Sequence, residues 1–92
     1  MIFDIDEARD ILRIDGNDND AIIEPLIEAI PAYLEATTGY VPAAGEVYSP
    51  VALTAGRFLL QLWYYGESAE TDKLQRVIDC LLKALSAERQ AT

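Results

Sequence analysis

The residues of this sequence most able to do chemistry are its acids. Asp15-Gly-Asn-Asp-Asn-Asp20 has the oxygen-rich look of a calcium loop. Such a loop needs ligands at alternate positions, a glycine at the sixth for the sharp turn and a glutamate at the twelfth. Counted from Asp15, those two positions are Asp20 and Leu26, so the run reads as an acidic turn feeding a helix. Glu24 and Glu28 stand one helical turn apart, but the chain has no histidine and no lysine near them to complete an acid–base pair. They read as a solvated face. The lack of histidine also removes the commonest metal ligand. Cys80 is the only cysteine, which excludes an intrachain disulfide. With no histidine or second thiol beside it, it is expected to be a half-buried structural thiol on the flank of a helix. The glycines at 16, 39, 45, 56 and 66 fit neither a phosphate-cradling loop nor a dinucleotide fingerprint. No catalytic residue, cofactor site or metal site is expected, and the chain does not read as an enzyme.

Charge is distributed unevenly. Residues 1–35 hold ten acids against Arg9 and Arg13, whereas residues 36–92 hold six acids against five bases, out of a net charge of −9. An acidic end of this kind repels the phosphate backbone, which argues against wrapping or reading DNA. A surface past which DNA slides without sticking remains compatible with it. The acidic start, MIFDIDEARD, is unlike a signal peptide, and no run of about 18 apolar residues spans a membrane. The expected setting is the cytosol, or an assembly built there.

The elements that must position these groups are helices. At 92 residues, residues 1–92 form a single domain, and the 51% hydrophobic fraction is that of a folded chain. A domain of this size buries only about 60–65% of its unfolded surface, so neighbouring subunits could add to its stability. Asp4 and Glu7 have the spacing of a capping box before a short helix whose Ile5, Ala8, Ile11 and Leu12 share a face. A second helix is predicted from about Asp18 to Thr38, ending at Gly39. Ile22, Ile23, Leu26, Ile27, Ile30, Tyr33 and Leu34 form its apolar side, with Glu24, Glu28, Pro31 and Glu35 opposite. Interior Pro25 and Pro31 predict a kinked helix, or a break into two pieces. Residues 40–48 form either two short extended pieces or a segment lying on the core.

Ser49 and Pro50 are a strong start for a third helix, which ends before Gly66. It carries two apolar stripes: Val51, Ala55, Phe58, Leu59, Leu62 and Tyr65 on one side, and Leu53, Arg57, Leu60 and Tyr64 roughly opposite. Either this helix is central, or one stripe meets another subunit. Consecutive Trp63, Tyr64 and Tyr65 cannot all face one core, so Tyr64 is expected to point away. That makes Leu53, Arg57, Leu60, Trp63 and Tyr64 the candidate interface; packing on a neighbouring helix of the same chain is the alternative. A fourth helix, about Thr71 to Glu88, has Leu74, Val77, Ile78, Leu81, Leu82 and Leu85 inward and Arg76, Asp79 and Lys83 outward. The fold class is therefore all-α, a small bundle of about four helices: a short first, a kinked second and two longer amphipathic ones.

The order of these signals resembles a known family. Ile11-Leu-Arg-Ile-Asp15, an acidic turn, and then Asp20-Ala-Ile-Ile-Glu-Pro-Leu-Ile-Glu-Ala-Ile-Pro-Ala-Tyr-Leu-Glu-Ala-Thr-Thr-Gly39 are similar to the opening of phage head–tail connector (head-completion, or adaptor) proteins. The helix from Pro50 to Tyr65 has the matching proline start and aromatic end, so the resemblance covers roughly residues 5–66. The chain departs from the pattern at Pro25 and Pro31, and the fourth helix matches only loosely. The resemblance implies a virion protein, assembled in the host bacterial cytoplasm, that forms a homo-oligomeric ring of about a dozen copies on the portal protein. Such a ring extends the DNA conduit and receives a stopper or tail-joining protein; DNA passes through without specific binding. On that reading the acidic face of Glu24, Glu28 and Glu35 lines the lumen or a solvent channel. The alternative is a small acidic interaction module, a DNA mimic or decoy that occupies a basic partner with strong salt dependence.

Overall fold

In a computed structural model, described here for residues 2–42, 47–66 and 71–90, the chain forms four helices. They are α1 (Ile5–Leu12), α2 (Asp20–Thr38), α3 (Pro50–Tyr65) and α4 (Thr71–Gln90). No strand occurs among the described residues, so the domain is a small all-α bundle. The Cα atoms extend over 41 × 33 × 18 Å. With helix axes typically 8–10 Å apart, the short dimension holds only two helical layers. No described helix is long and apolar enough to cross a membrane.

Each helix begins and ends for a local reason. The Asp4 carboxylate accepts from the Glu7 N–H (2.8 Å), and the Glu7 carboxylate accepts from the Asp4 N–H (3.2 Å), closing the capping box of α1. At the other end the left-handed residue is Arg13, at φ 58°, three residues ahead of Gly16. The Ile14 N–H reaches back to the Arg9 carbonyl (2.9 Å), as in a Schellman closure. For α3 the Ser49 hydroxyl accepts from the Ala52 N–H (3.2 Å), with Pro50 in the first turn. Gly39 ends α2 at φ 79°. That helix is unbroken through Pro25 and Pro31, so of the two arrangements expected there, two separate pieces is not the one that forms. Pro25 is exposed and Pro31 half-buried, which keeps both rings near the solvent side of the ladder they interrupt.

α3 packs on α1, α2 and α4, as α2 packs on the other three, and its contact with α4 is the most extensive in the bundle. Its buried centre is made of small groups, Ala52, Ala55 and Gly56, flanked by Leu59 and Leu60. Burial is thus centred between the two stripes expected from the sequence, taking the inner edge of each. Tyr65, expected in the core, is 58% exposed for this reason. Across Gly56 runs the N-terminal pair Ile2 and Phe3, both buried. A Cβ at Gly56 would stand 3.0 Å from Ile2 Cδ1 and 3.1 Å from the Phe3 ring. α2 is also turned from its expected orientation. Ile23, Ile27, Ile30 and Leu34 are buried, while Ile22 is 60% exposed. In α4, Ile78 and Leu85 are buried, Val77 is exposed, and Cys80 is exposed instead of half-buried. A helix in an outer layer buries a narrower stripe than its apolar pattern allows.

Residues 40–42 and 47–49 lie partly against the core; 43–46 are outside the described residues. Tyr40 and Tyr48 pack together at 6.3 Å between ring centroids, and the Ser49 N–H donates to the Tyr40 hydroxyl (2.9 Å). Val41 and Val47 are exposed.

Two substitutions test this account. Gly56→Leu should destabilise the fold by about 1–3 kcal/mol in urea denaturation, because the core has no space for the added side chain. Arg13→Gly should stabilise it by up to about 1 kcal/mol, by relieving a left-handed conformation at an exposed site.

Candidate interaction surfaces

A two-pronged ion pair ties α1 to the start of α2. Arg9 Nε donates to one Asp20 carboxylate oxygen (3.0 Å), its Nη2 donates to the other, and its Nη1 donates to Asp6 (2.7 Å). The Asp20 hydrogen bond holds the Arg9 pKa above its ordinary value. Asp20, the end of the loop that resembled a calcium site, is thereby committed to a guanidinium. Among the described residues, no group of three histidine, cysteine or acidic side chains is placed to hold a metal ion. At the far end of α1, Gln61 Nε2 donates to the Ile11 carbonyl (3.3 Å), and the Tyr65 hydroxyl donates to the Leu12 carbonyl.

The five residues expected as an interface divide. Leu60 is fully buried in the chain's own core, so it is corrected from partner contact to core residue. The cause is the position of α3 between its two stripes. Leu53, Trp63 and Tyr64 are half-buried and pack against that core. Trp63 meets Tyr33 edge to face at 5.4 Å across the α2–α3 seam, and Tyr64 meets Tyr65 at 5.0 Å. Arg57 is exposed and borders a groove of about 400 Å³ between α1 and α3, with Asp10, Ile11, Arg13, Thr54, Phe58 and Gln61. The expected interface is thus one exposed cation and three half-buried side chains, with Arg57 on the α1 side of α3 and Trp63 on the α2 side.

Glu24, Glu28 and Glu35 are all exposed. At 100° per residue, however, they lie about a third of a turn from the buried line of α2 and not opposite it. Glu24 and Glu28 join Asp4 around a depression of about 360 Å³ walled by Ile5 and Ile27, between α1 and α2. Directly opposite the core, α2 instead presents Ala21, Pro25, Ala29, Ala32 and Ala36, all exposed. Sequence reading missed this strip because alanine counts for little in an apolar pattern; its spacing of three and four residues was the available signal. The Arg9–Asp20 pair was missed for want of any local rule joining residues eleven apart.

No family model matches the chain, and neither the curated proteins nor the solved structures contain a significant match to it. The geometry therefore carries the functional argument together with the residue pattern itself.

Desolvation, and secondarily the neighbouring Tyr40, holds the Tyr48 phenol above the ordinary tyrosine pKa. A raised pKa means the folded state keeps its proton longer than the unfolded chain. This contribution is complete below about pH 10 and is lost as pH rises through the folded-state value. In denaturation series between pH 9 and 11, Tyr48→Phe should soften the alkaline fall in stability relative to the parent protein.

Proposed function

We propose that this chain is a phage or prophage head–tail connector, assembling as a ring on the portal vertex, extending the DNA conduit and joining capsid to tail. The observation that carries the reading is the ordered run of residues from Ile11 to Gly39, continued from Pro50 to Tyr65, which resembles that family. The surface is in keeping with it. An acidic flank, formed by Asp4 on the α1 side and Glu24, Glu28 and Glu35 on α2, is exposed along one side of a thin helical slab. A wall of like charge lets DNA pass without adhering, since attraction to phosphate requires neutralising cations. We place this flank toward the conduit. The α3 surface around Arg57, with the half-buried Leu53, Trp63 and Tyr64 of the same helix, is the region we assign to the portal or to the tail-joining protein.

The partners on this reading are other copies of the chain, the portal protein and a stopper protein, in a particle assembled in the bacterial cytoplasm. Native mass spectrometry of the chain mixed with the portal ring of the same phage tests it. A complex with about a dozen copies on the portal is expected. A portal that ignores the chain would overturn the reading and favour the acidic-decoy alternative, whose binding to a basic partner should weaken steeply with salt.

A further inference from the structure

Two guanidinium groups border one groove. Arg13, at the end of α1, and Arg57, in the middle of α3, are both exposed on the groove of about 400 Å³ between these helices. Arg9, one turn before Arg13, is taken up by Asp6 and Asp20. Neither Arg13 nor Arg57 has a carboxylate within ion-pair distance among the described residues. In a chain of net charge −9, two unpaired arginines on a shared rim leave an attraction for an anion unsatisfied. The backbone under Arg13 is an independent sign. It holds φ 58°, in the left-handed region where glycine or asparagine is the usual residue at a helix end. Among the described residues, its side chain makes no ion pair to offset that conformational cost. A side chain kept on such a backbone points to a use outside the chain's own packing.

The rest of the groove narrows what the anion can be. Its floor is apolar, lined by the half-buried Ile11 and Phe58. Along the α1 rim the charge changes sign, with Glu7 and Asp10 ahead of Arg13. A nucleic-acid backbone, which needs a run of cations, would meet these carboxylates as soon as it extended past the arginines. A short segment with one acid and apolar flanks has no such conflict. We infer that this groove takes an acidic peptide segment of a partner protein, one carboxylate held by Arg13 and Arg57 and the neighbouring apolar side chains laid on Ile11 and Phe58. Each guanidinium offers paired N–H donors in the plane that a carboxylate's two oxygens require. On α3 the groove runs from Thr54 to Gln61, seven residues or about 10.5 Å, the length of three extended residues. The inference rests on the proposal that this α3 surface meets a partner protein, and it adds the chemistry of that partner.

The test is an NMR titration of the nitrogen-labelled full-length protein with the tripeptide acetyl-Leu-Glu-Leu-amide. Saturating shifts are expected at the amides of Ile11, Arg13, Arg57 and Phe58 and at the two arginine Nε–H groups. Glutamine in place of the peptide's glutamate should weaken binding about tenfold, and acetate, which lacks the apolar flanks, should not saturate. Arg57→Gln and Arg13→Gln should each weaken it roughly threefold, while Lys83→Gln, an equal loss of charge on α4, should leave it unchanged. Arg13→Gly should weaken binding as Arg13→Gln does and still raise stability in urea, which separates use of the side chain from support of the fold. Equal binding of the two peptides, an equal loss from Lys83→Gln, or no saturating shift in the groove would overturn the inference. So would movement of the same amides on dilution of the protein alone, since a second copy would then be the occupant. Mass measurement with the portal distinguishes the two readings. A portal complex without peptide binding overturns this inference alone, and peptide binding without a portal complex overturns the connector reading alone.

Discussion

The close approach at the middle of α3 is the constraint on which the rest of the molecule depends. A chain of 92 residues cannot surround a wide core, and this one has a short dimension of 18 Å. Within that thickness α2 and α3 each touch the other three helices, and the chain entering α1 has to cross α3 where its side chains are small. Ala52, Ala55 and Gly56 supply them, and Ile2 and Phe3 lie over Gly56. Because the seat is narrow, the larger residues of α3 fall to either side of it. Leu59 and Leu60 are drawn in, and Tyr65 is left at the surface with its hydroxyl on the Leu12 carbonyl. The orientation of α3 thus determines which aromatic groups seal the bundle and which remain outside.

The parts legible in the sequence were those decided by near neighbours. Asp4 with Glu7, Ser49 with Pro50, and Gly39 act within one turn, and each ends or begins a helix as its chemistry requires. The number and order of helices follow from them. What the sequence left open was rotation about each helix axis. Ile22 satisfies the helical period of α2 as well as Ile23 does, yet only Ile23 is buried, because the choice is made by the three helices packed against α2. Leu60 was misplaced by the same ambiguity. Contacts between distant residues, such as Arg9 with Asp20 or Gln61 with the Ile11 carbonyl, have no local signature at all.

The surfaces show the same division. Composition alone located the negative charge in the first third of the chain, and the exposed glutamates of α2 are where that charge would be found. It could not show that the line of glutamates is set aside from the outermost strip of its helix. The offset means that one helix presents a strip of small residues and a line of carboxylates in different directions.

The single tryptophan stands at a point that gives the chain its own optical gauge. Trp63 meets Tyr33 edge to face at 5.4 Å on the seam joining α3 to the helix with the acidic flank. Indole emission depends on the polarity around the ring, and this ring is half-buried. Any event that prises α2 from α3 therefore exposes it further, while an event confined to α1 or the end of α4 leaves its surroundings as they are. The seam between scaffold and charged face can thus be followed by its own light, without a label.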